Sequence, residues 1–225
     1  MKNILTTLVG LRAHGLHDEG SDYDWRGVFV EPTSEILKLG GSTRQTSWVE
    51  GKEDDTRYEV GRFLQLAVKC NPSILEVMVA PVKESETTEE GMELRRLFDR
   101  IWTPKLVRDA FSGYAHNQEK KFLVGREGRP QKFAVAYLRS LWQARELLTT
   151  GVLPVKVYDP DFERALRELK HMEALTPAVI GKVMEEASRL QDQVDYAYDH
   201  CDQGKVCDME AVNDYLLSIR LNNWN

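Results

Sequence analysis

Asp22 and Asp24 stand two apart in the stretch LVGLRAHGLHDEGSDYDWRGVFV, Leu8 to Val30. Residues two apart in a strand point to the same side, so an extended backbone here would put both carboxylates on one face. Two like charges held together are unfavourable unless a cation sits between them, most often a divalent metal. A glycine-containing bend precedes the pair. At Gly10 no β-carbon keeps backbone N–H groups away from phosphate oxygens, and Arg12 adds a cationic fork. Gly10, Leu11, Arg12 and Ser21 are therefore the candidate phosphate contacts, and Asp22 and Asp24 would hold Mg²⁺ (or Mn²⁺) against a nucleoside triphosphate. A third carboxylate on a neighbouring strand would complete a two-metal site for phosphoryl transfer. Asp55, opening a predicted strand, is the choice for it, with Asp54 and Glu59 as fallbacks.

The elements that must position these groups can be read from periodicity. Ile4 to Val9, Trp25 to Val30, Gln45 to Glu50 and Asp55 to Tyr58 read as short strands. From Glu59 the spacing turns helical, with Val60, Phe63, Leu64, Ala67 and Val68 on one side, and Asn71-Pro72 stops that helix. Ser73 opens a second helix through Ala80, and the acidic connection Ser85 to Gly91 reads as the domain boundary. Beyond it, Glu90–Ile101, Pro104–Phe122, Pro130–Thr149, Asp161–Met172, Pro177–His200 and Met209–Leu221 each carry an apolar stripe. The expectation is an α+β protein: a small mixed-sheet domain over residues 1–84, then an all-helical domain over 85–225.

Composition narrows the class. With 225 residues, 42% of them hydrophobic, the chain can bury a full core. No run approaches the roughly 18 apolar residues of a membrane span, and the first residues carry no export signal, so a cytoplasmic protein without membrane partners is expected. Three cysteines without such a signal point to free thiols. His200, Cys201 and Cys207 lack a fourth ligand at zinc-like spacing. The net charge of −6 argues against a generic nucleic-acid coat, yet 12 Lys and Arg face 4 Asp and Glu between Arg95 and Arg145. That segment reads either as a solvated face of two helices or as a groove for the phosphates of a nucleotide or an RNA.

GLRAHGLHDEGSDYDWRGVF resembles the polymerase-beta-like nucleotidyltransferases, and among them the predicted nucleotidyltransferase group linked to RNA repair. Two later blocks extend the likeness: YEVGRFLQLAVKCNPSILEVMVAP, with Lys69, Asn71-Pro72 and Glu76, and QKFAVAYLRSLWQARELLTTG, ending in a Thr-Gly turn. The resemblance implies a nucleotidyltransferase domain at the N-terminus, Mg²⁺ at Asp22 and Asp24, ATP or another NTP as substrate, and an RNA end or tRNA as acceptor. One departure bears on activity. Where the superfamily has Gly-Ser, this chain has Gly10-Leu11, and leucine cannot donate a hydrogen bond. Losing one to a charged oxygen costs about 1.5–3 kcal/mol. Two rival readings follow: AMP transfer to a protein acceptor, as in small antitoxins with a similar core, and a non-catalytic nucleotide-binding protein that keeps the fold.

Several residues have a plainer reading beside the functional one. Lys132 and Arg139, seven apart, share a helix face that would bind triphosphate or acceptor, or simply be solvated. His14 and His17 are left out of the chemistry, since metal-assisted phosphoryl transfer needs little further acid–base help. Arg26 reads as a structural counter-ion to the carboxylates. The five tryptophans read as core or domain-interface residues.

Overall fold

The computed structural model describes residues 1–39, 46–48 and 55–225. The chain divides into two compact units, the first comprising Met1–Lys69, Ser73–Trp102 and Val206–Asn225 and the second Cys70–Pro72 and Thr103–Lys205. Along the chain the first unit runs β1 (Lys2–Val9), α1 (Gly10–Ala13), β2 (Asp24–Val30), α2 (Thr33–Leu37), β3 (Thr46–Trp48), β4 (Asp55–Glu59), α3 (Val60–Ala67), α4 (Pro72–Val79), a 3₁₀ turn (Glu84–Glu86), α5 (Glu89–Arg96) and α6 (Phe98–Ile101). The second unit holds α7 (Pro104–Leu123), α8 (Pro130–Thr150), α9 (Pro160–His171) and α10 (Pro177–His200). A last helix, α11 (Met209–Asn222), returns to the first.

The sheet is mixed, in the order β1-β2-β4-β3. β1 runs antiparallel to β2, β2 parallel to β4, and β3 antiparallel to β4. Ile4, Leu5, Val28 and Phe29 are fully buried, which is what makes these short segments strands rather than loops. The helical spacing read after Glu59 is realised in α3, whose Val60, Phe63, Leu64 and Ala67 are all buried. Glu59 caps that helix by accepting from the Gly61 N–H at 2.7 Å. α5 crosses β1 so closely that a β-carbon on Gly91 would lie 1.9 Å from the Ile4 carbonyl oxygen. Only glycine fits there.

Segment 89–101 and α11 differ from the sequence-based layout in belonging to the first unit. α11 is tied in by three contacts at long sequence separation. Tyr215 donates to the Glu90 carbonyl at 2.9 Å, Arg220 meets Glu59 at 2.7 Å, and Thr33 donates to the Arg220 carbonyl at 2.6 Å. Burial pushes the Tyr215 hydroxyl well above its ordinary pKa. An apolar stripe signals that a helix must be covered, but does not say by what.

In the second unit α7, α8 and α10 bury Phe111, Phe122, Leu141, Trp142, Leu190 and Val194. α9 adds Phe162, its ring 5.7 Å from that of Trp142. Arg108 on α7 pairs with Asp195 on α10 at 2.6 Å. The three cysteines are free, and no helix among the described residues is long and apolar enough to cross a membrane.

Candidate active site

β1 ends at Val9, and the chain turns at Gly10 with φ +69°, a left-handed conformation that glycine alone adopts without strain. Asp24, opening β2 in register with Val9, sits directly against this turn. A β-carbon on Gly10 would lie 2.0 Å from Asp24 Oδ2. The glycine therefore makes room for the carboxylate. Past the one-turn helix α1, His14 is buried and its Nε2–H donates to Glu76 Oε1 at 2.7 Å, which ties the bend to α4.

The chain between α1 and β2 is held by its own small groups. The Ser21 N–H donates to the Asp18 carbonyl at 3.1 Å, and the Ser21 hydroxyl accepts from the Asp18 N–H at 2.9 Å, closing a turn. Arg12 then grips the same residue from the other side, donating from Nε and Nη2 to the Ser21 carbonyl at 2.9 and 2.7 Å. Its guanidinium lies 3.9 Å from the centre of the Tyr23 ring. Both Arg12 and Ser21, expected at phosphate, are thus engaged in shaping the approach to the aspartates. Leu11 is half-buried and Asp22 is exposed in the lead-in to the strand, two residues before the half-buried Asp24.

Asp55 is placed elsewhere. β4 pairs parallel with β2 so that Asp55 lies opposite Trp25 and Thr56 opposite Arg26. Side chains alternate along a strand, so Asp55 shares the sheet face of Trp25 and Gly27, one residue out of phase with Asp24. There Arg57 clasps it, Nε to Oδ1 at 3.0 Å and Nη2 to Oδ2 at 2.8 Å, and also donates to Glu86 at 3.1 Å. Of the fallbacks, Glu59 is spent on capping α3 and on Arg220, and Asp54 lies outside the described residues. Among the described residues, no group of three or more His, Cys, Asp and Glu side chains is arranged to hold a metal ion.

Lys132 and Arg139 both lie on α8, in the second unit. Lys132 is exposed, but Arg139 is buried and donates to Gln143 at 2.8 Å, so the two do not form one solvated stripe. Half of the basic residues of 95–145 are met by carboxylates in space. Arg96, Arg100, Arg108, Arg126, Arg129 and Arg145 each meet a carboxylate. A run of cations along a sequence need not be a cationic surface.

The sequence model of the RNA repair pathway DNA polymerase beta family, RlaP, matches residues 1–216. The chain belongs to that family. No curated protein and no solved structure matches it detectably. That family is polymerase-beta-like and linked to RNA repair, in agreement with the resemblance carried by the three motif blocks.

Two features of this RlaP-family site escaped the sequence reading. His14, which the sequence leaves outside the chemistry, secures the bend through Glu76. A histidine four residues after the glycine carries no signal of a partner 62 residues away. Tyr23 and Trp25 alternate with the aspartates, and their rings lie within 10° of parallel with centroids 6.2 Å apart. β2 begins at Asp24, so strand alternation speaks for Asp24 and Trp25 alone and the sequence does not place Tyr23 beside Trp25.

Proposed function

We propose that the protein transfers a nucleoside monophosphate from an NTP to an acceptor hydroxyl on RNA. In this reaction the hydroxyl oxygen bonds to the α-phosphorus, the bond to the β,γ-pyrophosphate breaks, and the hydroxyl proton leaves to solvent. The observation that supports it best is the approach of Asp24 to Gly10, which sets a carboxylate against the glycine turn at the end of β1. Asp22, two residues earlier, supplies the second carboxylate. Such a donor set suits Mg²⁺ or Mn²⁺, which is commonly bound by one or two carboxylates together with substrate phosphates. When bound, the ion would neutralise charge on the phosphates and lower the pKa of the attacking hydroxyl. The chain's own part is positional. Gly10 makes room for the Asp24 carboxylate, Arg12 and Ser21 hold the lead-in to the aspartates, and the His14–Glu76 pair holds α1 in place.

Leu11 favours a second reading, in which the fold binds a nucleotide without transferring it. A leucine where relatives carry a serine offers the phosphates no hydroxyl. The deciding assay incubates the protein with each α-labelled NTP and Mg²⁺ or Mn²⁺, with and without RNA, beside an Asp22→Ala/Asp24→Ala control. Label on RNA that the control loses supports the transferase. Label on protein instead makes the acceptor a polypeptide. Silence from both the native protein and Leu11→Ser leaves the binder.

A further inference from the structure

Tyr23 and Trp25 sit beside the aspartate pair but take no part in it. Tyr23 is 45% exposed, and Trp25 is half-buried. Their near-parallel rings are 6.2 Å apart, an offset arrangement in which they overlap little. A cation attends each ring. The Arg12 guanidinium is 3.9 Å from the Tyr23 centroid, and the Lys83 ammonium is 5.2 Å from that of Trp25. Arg12 is fixed by the Ser21 carbonyl, and Lys83 by Glu86. Aromatic rings with an arginine beside them are a composition by which proteins hold unpaired bases and the phosphates between them.

We propose that Tyr23 and Trp25 are a stacking platform for the bases of a single-stranded nucleic-acid acceptor, with the Arg12 guanidinium beside them to meet a phosphate. The assignment of that strand as acceptor rests on the transferase reading; the binding itself does not. A strand fits better than a lone nucleotide because Trp25 and Asp24 are successive residues of β2 and point to opposite sides. A mononucleotide with its triphosphate at the aspartates would have to turn its base around the strand end to reach the rings. A polymer runs from one to the other.

The test measures fluorescence anisotropy of a short labelled single-stranded RNA and of an abasic backbone of the same length and charge. Tyr23→Ala is expected to weaken binding of the base-bearing strand roughly 5- to 150-fold, to change abasic binding little, and to be rescued by Tyr23→Phe. Equal affinity of native protein and Tyr23→Ala overturns the proposal, as does native protein that binds both strands equally. If Tyr23→Ala weakens binding of a free NTP as much as of RNA, the rings serve a mononucleotide and the strand assignment falls. Asp22→Ala/Asp24→Ala separates the two readings. Base-dependent binding that persists when neither native protein nor variant transfers label sinks the transferase reading alone.

Discussion

Replacing Gly10 by alanine tests the geometry on which the site depends. The new β-carbon would stand 2.0 Å from Asp24 Oδ2, 2.9 Å from its Cγ and 3.2 Å from its Cβ. The carboxylate must retreat by roughly 1.5 Å to restore ordinary contact, and an off-rotamer side chain costs about 0.5–1.5 kcal/mol. At φ +69° the alanine itself is strained by about 1–2 kcal/mol. Gly10→Ala should therefore destabilise the protein by about 2–3 kcal/mol in urea titrations. Nucleotidyl transfer should fall by about 100-fold or more, since a misplacement of this size commonly has that effect. The same substitution in an Asp24→Ala background isolates the carboxylate: with Oδ2 gone, the cost should drop to the backbone strain of about 1–2 kcal/mol. An equal cost in both backgrounds would refute the reasoning, and so would full activity in Gly10→Ala.

Other perturbations probe the supports. His14→Ala leaves the buried Glu76 carboxylate without its ring partner and should cost about 3 kcal/mol in thermal or chemical unfolding. Arg220→Ala similarly strips a buried Glu59; a loss of about 3 kcal/mol is expected, with faster amide exchange in α11. Arg12→Ala removes both bonds to Ser21 and the contact with Tyr23, and limited proteolysis should then cut within residues 18–23 sooner, at little global cost. The Glu86 carboxyl is held below its ordinary pKa, first by the hydrogen bond from Lys83 and then by those from Arg57 and Thr6. A depressed carboxylate adds stability that is whole above its unfolded pKa, near about 4.3, and fades as pH falls through the lower folded value. Glu86→Gln should flatten that part of the acid limb in a pH series of unfolding midpoints.

Much of the fold was legible because it is local. Val60, Phe63, Leu64 and Ala67 announce a helix by their spacing, and the strands show as short apolar runs closed by turns. The aspartate pair, its glycine and the three motif blocks were equally readable, and they led to the family. Partners distant in sequence were not legible. Asp55 looked like a third ligand because it opens a strand, but parallel register with β2 turns it to the face where Arg57 waits. Arg139 looked like half of a surface stripe, and helix packing buried it on Gln143.

The sequence by itself determined which segments become helices and strands, that an aspartate pair follows a glycine bend, and which family the chain joins. These follow from short-range sterics, periodicity and residue chemistry. Tertiary structure alone decided that α11 closes on the first unit, that Arg12 braces Ser21, that half of the basic segment is neutralised by carboxylates, and that Tyr23 and Trp25 align with a cation at each ring. Those outcomes depend on strand register and helix packing, which bring together groups as far apart as Thr33 and Arg220, and no spacing along the chain encodes them.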